Sequence, residues 1–361
     1  MDLSRILVGI YAFLLFNIII TAHEWGHFIT ARKFGIRVKE FALGMGPRIL
    51  KLERGETIYS LRVLPIGGFC AMQGEEDLDE PPKDQKPDTS FDPSKSFRTK
   101  PAWQKAIVML AGIFMNFVVG IILSIILTSI SSNVFSTTIN GFSDFYSYSD
   151  SPERLKVGDK IISINGYKTH VIRDIQFASK LSSPDQCEID VIRNGEMIRL
   201  YDDIIYTDEL GNNNLMVTLE PIEKNPISVV SYAFTDIGSI IRNSWNSILK
   251  LVSGKLSLKK MSGPIGLASS VGKIASSESI LPAIVKITSM ATMFSVAVGV
   301  FNGIPFPALD GGRFVLLIPE MITGKPVNIR VEQAINIIGF VLIMIFTVII
   351  AYNDIVSFRG S

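Results

Sequence analysis

The sequence predicts an α-helical polytopic membrane protein with four transmembrane helices and a separate β-rich domain. Two observations predict this fold class. Hydrophobic residues make up 47% of the 361 residues and charged residues only 19%, below the roughly 25% typical of soluble domains. Four stretches near the ~20 residues that cross a bilayer carry no charge: Ile6 to Ala22, Ala106 to Ile130, Ile287 to Leu309 and Ala334 to Ala351.

The overall balance of charge and the cysteine count exclude several classes of protein. A formal net charge of +1 argues against a protein that binds nucleic acid through bulk positive charge. Two cysteines, Cys70 and Cys187, provide neither a disulfide framework nor a cysteine-based zinc site.

The four apolar stretches should be helices because a backbone in lipid must satisfy its own hydrogen bonds. The first is longer than the apolar part of a signal peptide and lacks a small-residue cleavage site after it, so we expect it to be retained. The predicted helical segments are residues 1–31, 106–130, 280–310 and 334–352.

The distribution of basic residues predicts the orientation. Lys and Arg are frequent after the first span, before the second, and between the third and fourth, whereas none occurs from Ala106 to Glu153. The positive-inside rule then places residues 32–105 and 311–333 in the cytoplasm and residues 131–279 outside. Cys70 and Cys187 fall on opposite sides and cannot pair.

The predicted cytoplasmic region, residues 32–105, contains a strand and a polar loop. Tyr59, Leu61 and Val63 alternate with Ser60 and Arg62, which is the period of a strand. The acidic, proline-rich stretch from Glu75 to Pro93 is predicted to be a solvated spacer; a binding tail is the alternative.

The predicted outer region begins with a small β-rich domain at residues 137–221. Short apolar runs alternate with the turn signals Asn165-Gly166 and Asn194-Gly195. The segment LKVGDKIISINGYKT resembles that of bacterial PDZ domains, which bind extended peptides by strand addition. A spacer domain that only restricts access is the other interpretation, and the sequence leaves both open. Residues 227–279 are predicted to form an amphipathic helix and a connector.

The motif that indicates chemistry is His23-Glu24-Trp25-Gly26-His27, an H-E-x-x-H sequence at the end of the first span. On a helix, residues i and i+4 share a face, so both imidazoles can reach one Zn²⁺ ion. Glu24 lies beside that face and is the expected general base toward water. A polar helix end is the alternative, although ionisable groups within a span usually mark function.

A catalytic zinc needs a third protein ligand. His170, the only other histidine, falls in the predicted outer domain. Asp310 ends the sequence NGIPFPALDGG, where Pro305 and Pro307 break the third span. Irregular backbone at membrane depth is tolerated only when it lines protein or a water-filled cavity, so we expect Asp310 to join His23 and His27.

These motifs together resemble the site-2 protease family of intramembrane zinc metalloproteases, specifically the bacterial branch that regulates the envelope stress response, in a form with one PDZ-like domain. HEWGH, NGIPFPALDGG, LGMGP and MSGPIGLA carry the resemblance, which covers nearly the whole chain.

The resemblance implies a cytoplasmic membrane-associated β-hairpin, built from the strand near Ile58 to Val63 and the loop Ile66-Gly-Gly68. It also implies a function and site residues. Zinc would be held by His23, His27 and Asp310, with Glu24 as the base, in an endopeptidase of the bacterial inner membrane. Its substrates would be single-pass membrane proteins trimmed beforehand by another protease, such as anti-sigma factors or remnant signal peptides. The implied substrate-binding residues are Asn302, Tyr59, Leu61, Val63, Gly67 and Asn116; for Asn116, a role in helix packing is an equal alternative.

Two classes without protease activity remain as alternatives. A membrane scaffold or chaperone would use only the PDZ-like domain, but it would not need all four chemical residues. A transporter also places ionisable residues within the membrane, but the paired repeats typical of transporters are not visible.

Overall fold

The computed structural model describes most of the chain. The predicted acidic loop lies mostly outside the described residues, as do Met261 and Ser262 of the MSGPIGLA segment. The described residues are 3–75, 92–144, 146, 151–181, 187–202, 204–207, 213–254, 263–277 and 279–359.

The elements alternate between long helices and groups of strands. The helices are α1 (Leu3–Lys33), α2 (Ala102–Ile130), α3 (Ile172–Leu181), α4 (Pro226–Val252), α5 (Pro264–Ser277), α6 (Ile280–Asn302), α7 (Asp310–Thr323) and α8 (Ile329–Arg359). The strands are β1 (Val38–Arg54), β2 (Thr57–Met72), β3 (Phe135–Phe142), β4 (Lys160–Ile164), β5 (Tyr167–Lys168), β6 (Cys187–Arg193), β7 (Glu196–Asp202), β8 (Ile205–Thr207), β9 (Asn213–Leu215) and β10 (Val217–Pro221).

Four described helices have the length and apolar character of membrane spans, namely α1, α2, α6 and α8. Their most apolar windows have mean hydropathies between 1.8 and 2.8. The prediction of four span-length helices is confirmed, and the protein is a multi-pass membrane protein. The chain divides into two compact units, residues 1–120 with 250–361, and residues 121–249.

In the first unit, the long strands β1 and β2 fold back on themselves into one sheet. The end of β2 pairs with the start of β1, as in Phe41 with Cys70. The start of β1 also pairs with the middle of β2, as in Phe41 with Tyr59. Along this pairing the residue numbers of both segments increase in the same direction. The stretch from Phe69 to Met72 is therefore the edge, one ladder removed from Tyr59.

The sheet packs on α1 through an aromatic cluster and is held together internally by a buried carboxylate. Phe28 of α1 packs against Phe41 and Tyr59, with ring centroids 5.2 and 5.9 Å apart. Glu40 is buried and accepts hydrogen bonds from Ser60 (2.5 Å), Arg62 (2.8 Å) and Arg48. Burial opposes the charged form, but these hydrogen bonds outweigh it and lower the pKa of Glu40 to about 2.

The third span is shorter than the sequence indicated. Helix α6 ends at Asn302 rather than at residue 310, because Pro305 and Pro307 interrupt helical hydrogen bonding. After irregular residues 303–309, Asp310 begins the separate helix α7, which the sequence did not predict.

Two polar contacts join helices of the first unit. Lys105 is buried, and its ammonium donates to both carboxylate oxygens of Glu320 on α7, at 2.6 and 2.7 Å. Helix α5, also not predicted, is capped from α8: the carboxylate of Asp354 accepts from the backbone N–H groups of Gly263 (3.1 Å) and Gly266 (2.9 Å). The GPIG part of the MSGPIGLA segment therefore begins a helix.

The second unit contains a mostly antiparallel sheet and a helix that seals it. The strand order is β10-β3-β4-β6-β7, with β5 paired to β4, around a core of aliphatic side chains. The predicted turns at Asn165-Gly166 and Asn194-Gly195 are confirmed, and all four residues have positive φ. Asp236 of α4 is buried and accepts from Arg173 (2.8 Å) and Ser124 (3.1 Å).

Candidate metal centre

Helix α1 presents two histidines on one buried face. His23 and His27 are one helical turn apart, are 9% and 6% exposed, and have Nε2 atoms 3.3 Å apart. The i, i+4 spacing of the HEWGH motif produces this convergence directly.

A carboxylate from the other end of the sequence meets these rings. Oδ2 of Asp310, at the start of α7, lies 3.1 Å from Nε2 of His23 and 3.3 Å from Nε2 of His27. The three side chains form the one group in the described chain whose donor atoms are placed to hold a metal ion. The sequence-predicted triad is thus brought together across 287 positions of the chain.

Helix α2 orients both imidazole rings. Nδ1 of His27 lies 2.8 Å from the carbonyl oxygen of Val108, so this ring N–H donates to the backbone and leaves Nε2 for the cluster. Nδ1 of His23 lies 3.1 Å from the side-chain amide nitrogen of the buried Asn116. The Oδ1 atom of Asn116 is buried without a hydrogen-bond partner in the described chain. A half-turn of this amide places Oδ1 against an Nδ1–H of His23 and satisfies both groups.

Helix α2 also leaves space for the rings. A Cβ atom at Gly112 would lie 2.7 Å from Cε1 of His23 and closer still to Nε2 of His27. No side chain larger than hydrogen fits at this position without displacing the rings.

The turn before Asp310 is tightly constrained. Ala308 has φ +70°, a left-handed conformation that costs a residue with a Cβ about 1–2 kcal/mol. A Cβ at Gly311 would lie 2.6 Å from the carbonyl carbon of Gly303, and one at Gly312 would lie 3.0 Å from the nitrogen of Pro307. The first turn of α7 therefore packs directly on the irregular segment before it.

Glu24 and the triad line a common cavity of about 620 Å³. Cys70 on the edge of the sheet lines the same cavity, and its backbone N–H lies near the Glu24 carboxylate. A Cβ at Gly68 would lie 3.7 Å from Cγ of Glu24, so the edge of the sheet passes close to this side chain. A carboxylate held beside a metal cluster and open to a cavity is placed to exchange a proton with water.

The residues fit a zinc ion. Two imidazole nitrogens and one carboxylate oxygen are a donor set of catalytic zinc, which keeps a further position for water. Oδ2 of Asp310 is buried and lacks a hydrogen-bond partner in the part of the chain that is described, so a cation would satisfy it.

The predicted substrate-binding residues occupy three different environments. Asn302 lines the cavity. Leu61 and Val63 lie on the exposed face of the sheet, Gly67 forms a turn with φ +85°, and Tyr59 packs in the aromatic cluster with Phe28. Asn116 is buried against His23. The part of β2 that lines the cavity is Phe69 to Met72 rather than the predicted stretch from Tyr59 to Val63.

Sequence reasoning missed the supporting residues of the cluster. The backbone groups of Val108 and Cys70 leave no signal in a sequence. Gly112 did leave one, because a glycine within a span-length apolar stretch indicates a close approach.

Two histidines and an aspartate that converge beside a glutamate, in a chain with four span-length helices, are the arrangement expected of a membrane metalloprotease. The protein is a zinc metalloprotease of the membrane. Its family follows from sequence comparison: the chain belongs to peptidase family M50, the site-2 proteases, whose family model matches residues 11–346.

Bacterial relatives match over nearly the full length of the chain. A Fusobacterium nucleatum protein named as a zinc metalloprotease is 32% identical over 95% of this chain and 97% of its own. A Clostridium perfringens protein, also named as a zinc metalloprotease, is 32% identical over 96% of this chain and 98% of its own. The regulator of sigma-W protease RasP of Bacillus subtilis is 27% identical over 95% of this chain and 96% of its own.

Proposed function

We propose that this metalloprotease cuts peptide bonds within the transmembrane segments of single-pass membrane proteins. His23, His27 and Asp310 hold the zinc ion, and Glu24 is the catalytic base. The observation that carries the proposal is the convergence of the three side chains on one buried point beside Glu24 and a cavity.

Each residue has a defined part in the chemistry. When bound, zinc supplies Lewis acidity that lowers the pKa of water and stabilises negative charge on a carbonyl oxygen. Glu24 accepts a proton from the attacking water and returns it to the leaving amine. The backbone N–H of Cys70, close to Glu24 in the cavity wall, is placed to interact with its carboxylate. Val108 and Asn116 hold the two rings with their Nε2 atoms toward the ion.

The substrate must be extended, because a peptide bond within a helix is shielded by the helix's own hydrogen bonds. An edge strand can pair with the unwound segment. The location of the sheet edge in the cavity wall supports Phe69 to Met72 as that strand. Asn302, on the end of α6 and also in the wall, then binds the substrate backbone.

The location and substrates follow from sequence patterns and relatives. The distribution of charge supports an inner-membrane orientation with residues 32–105 and 311–333 cytoplasmic and residues 131–279 outside. Exposed Ile49, Leu50 and Leu52 support contact of the β1–β2 sheet with lipid. The family resemblance implies anti-sigma factors or remnant signal peptides as substrates, and the Bacillus subtilis relative is named as a regulator of sigma-W protease. The β-rich unit then excludes substrates that have not been trimmed, whether or not it also binds peptide as PDZ domains do.

The variant Glu24→Gln tests the proposal. It should keep about one zinc per chain, because no ligand is changed, and should lower the cleavage rate of a model transmembrane substrate at least ~100-fold. Zinc is measured by mass spectrometry of the purified protein, and His23→Ala is the control that loses the metal. Full cleavage by Glu24→Gln would refute the assignment of the base. If bacteria that carry only the Glu24→Gln protein grow like wild type although no cleavage is detected, a scaffold role would be favoured instead.

A further inference from the structure

Helix α8 contacts the turn that precedes Asp310. Ala308 is one of three non-glycine residues with positive φ in the described chain. The other two, Asn165 and Asn194, are asparagines in hairpin turns, where this conformation is common. Ala308 has no polar side chain to stabilise its backbone, so its conformation must be imposed by its neighbours.

Two residues of α8 provide these neighbouring contacts. Oδ1 of Asn336 accepts a hydrogen bond from the backbone N–H of Ala308 at 3.3 Å. Gly339 is buried, and a Cβ there would lie 2.6 Å from the carbonyl carbon of Pro307. Residues 336 and 339 lie one turn apart on the same helix face. Asn336 binds the backbone N–H of Ala308, and Gly339 allows the backbone of α8 to approach Pro307 closely.

The contacts reach Asp310 through a short and closely packed path. Only Leu309 separates Ala308 from Asp310. The close approach of Gly311 to Gly303 and of Gly312 to Pro307 prevents the first turn of α7 from moving independently of this segment. A change in the turn at Ala308 therefore changes the position of Oδ2, which lies 3.1 Å from His23 and 3.3 Å from His27.

The rest of α8 is largely exposed near this contact. Ile337, Ile338 and Phe340 are 63%, 61% and 59% exposed. Asn336 and Gly339 are thus the inward-facing residues in an otherwise outward-facing part of the helix.

We propose that Asn336 and Gly339 of α8 are positioning residues for the metal centre. They hold the turn at Pro307 and Ala308 in the conformation that directs Asp310 toward His23 and His27. The inference rests on the proposed role of Asp310 as a zinc ligand. The fourth span is then part of the metal site although it contributes no ligand.

The test measures metal binding on the full-length protein in detergent. Zinc affinity is measured by chelator competition, and the ligand geometry by the visible spectrum of the cobalt-substituted protein. Asn336→Ala should weaken zinc binding about tenfold, the lower end of the effect of residues that orient ligands, and should alter the cobalt spectrum. Gly339→Ala should have a larger effect of the same kind. Ile338→Ala, on the exposed side of α8, is the matched control and should change neither.

A second substitution separates positioning from a general loss of structure. Glycine adopts positive φ without cost, so Ala308→Gly should restore zinc affinity and the cobalt spectrum in the Asn336→Ala protein. Wild-type affinity and spectrum in Asn336→Ala would overturn the inference, as would a failure of Ala308→Gly to restore them. Asp310→Ala distinguishes a failure of the proposed function from a failure of the positioning role alone. If it leaves zinc binding unchanged, the proposed function fails; if it weakens binding while Asn336→Ala does not, only the positioning role fails.

Discussion

At the scale of residues, the proposed metal centre depends on the absence of a side chain at Gly112 as much as on its ligands. His23, His27 and Asp310 approach one another because Gly112 offers no side chain where the imidazoles meet α2. The buried rings are then held in one orientation by the carbonyl of Val108 and the amide of Asn116. A ligand set held in this way loses little freedom when the ion binds.

Gly112→Ala tests the importance of this space. The added methyl group would displace His27 and His23, so zinc affinity should fall about tenfold or more. Chelator competition measures the affinity. Gly9→Ala on α1 is the matched control, because a Cβ at Gly9 meets nothing within 4 Å. Unchanged affinity in Gly112→Ala would mean that the rings can relax without cost.

The residues that could be predicted from sequence are those with a local pattern. HEWGH places two ligands by helical periodicity alone, and the proline-interrupted third span marked Asp310. Asn116 was noted, but the choice between substrate binding, helix packing and contact with His23 depends on the rotation of α2, which hydropathy does not specify. Asn336 and Gly339 carried no signal because their contacts with Ala308 and Pro307 are tertiary.

At the scale of elements, the sheet of β1 and β2 forms one wall of the cavity and is stabilised from within. Glu40 links the two strands through Ser60, Arg62 and Arg48, and its carboxylate is buried. Because the pKa of Glu40 is lowered from 4.5 to about 2, the charged form contributes stability above about pH 4.5. That contribution is lost as the pH falls toward about 2.

Glu40→Gln should therefore destabilise the protein in a pH-dependent manner. Near neutral pH the free energy of unfolding should fall by about 2 kcal/mol, the scale of hydrogen bonds to a charged group. Thermal unfolding in detergent should show the difference from wild type shrinking as the pH is lowered from about 5 toward about 2.5. Glu53→Gln, on the exposed part of β1, is the control and should have little effect at any pH. A difference that stays constant over this range would contradict the role of the charge.

The elements that the sequence predicted are those with strong periodicity or length. Four spans, the hairpins at the Asn-Gly turns and the amphipathic helix α4 all followed from such patterns. Helices α5 and α7 did not, because their sequences lie beside or within segments that resemble linkers or spans. A β-hairpin was expected in the region of β1 and β2, but its folding back on itself was not, since one strand pairs in several registers and only tertiary contacts select the edge.

At the scale of the whole molecule, the two units are suited to different tasks. The first unit contains all the residues proposed for chemistry. The second has its own aliphatic core and a sheet whose terminal strands lie side by side, with Phe135 paired to Pro221. The proposed separation of cleavage from substrate selection follows from this division.

Deletion of residues 137–221 tests the selection role. The residues on either side of the deleted segment lie close together in the intact protein, where the N–H of Ile222 donates to the carbonyl oxygen of Val134 at 2.6 Å, so a short linker can join them. The shortened protein should cut a substrate that keeps its bulky extracytoplasmic domain, which the full-length protein should leave intact. A pre-trimmed substrate, cut by both forms, controls for folding. If the shortened protein cuts only the trimmed substrate, the unit does not act as a size filter.

X-ray absorption of the zinc-loaded protein tests whether His23, His27 and Asp310 bind one zinc ion. Wild type should show two imidazoles and oxygen ligands at about 2.0–2.2 Å, without sulfur. In the Asp310→Cys variant, one sulfur should enter the coordination shell at about 2.3 Å, because position 310 supplies a ligand. Fewer than two imidazoles in wild type, or a zinc shell in Asp310→Cys that contains no sulfur, would contradict the claim.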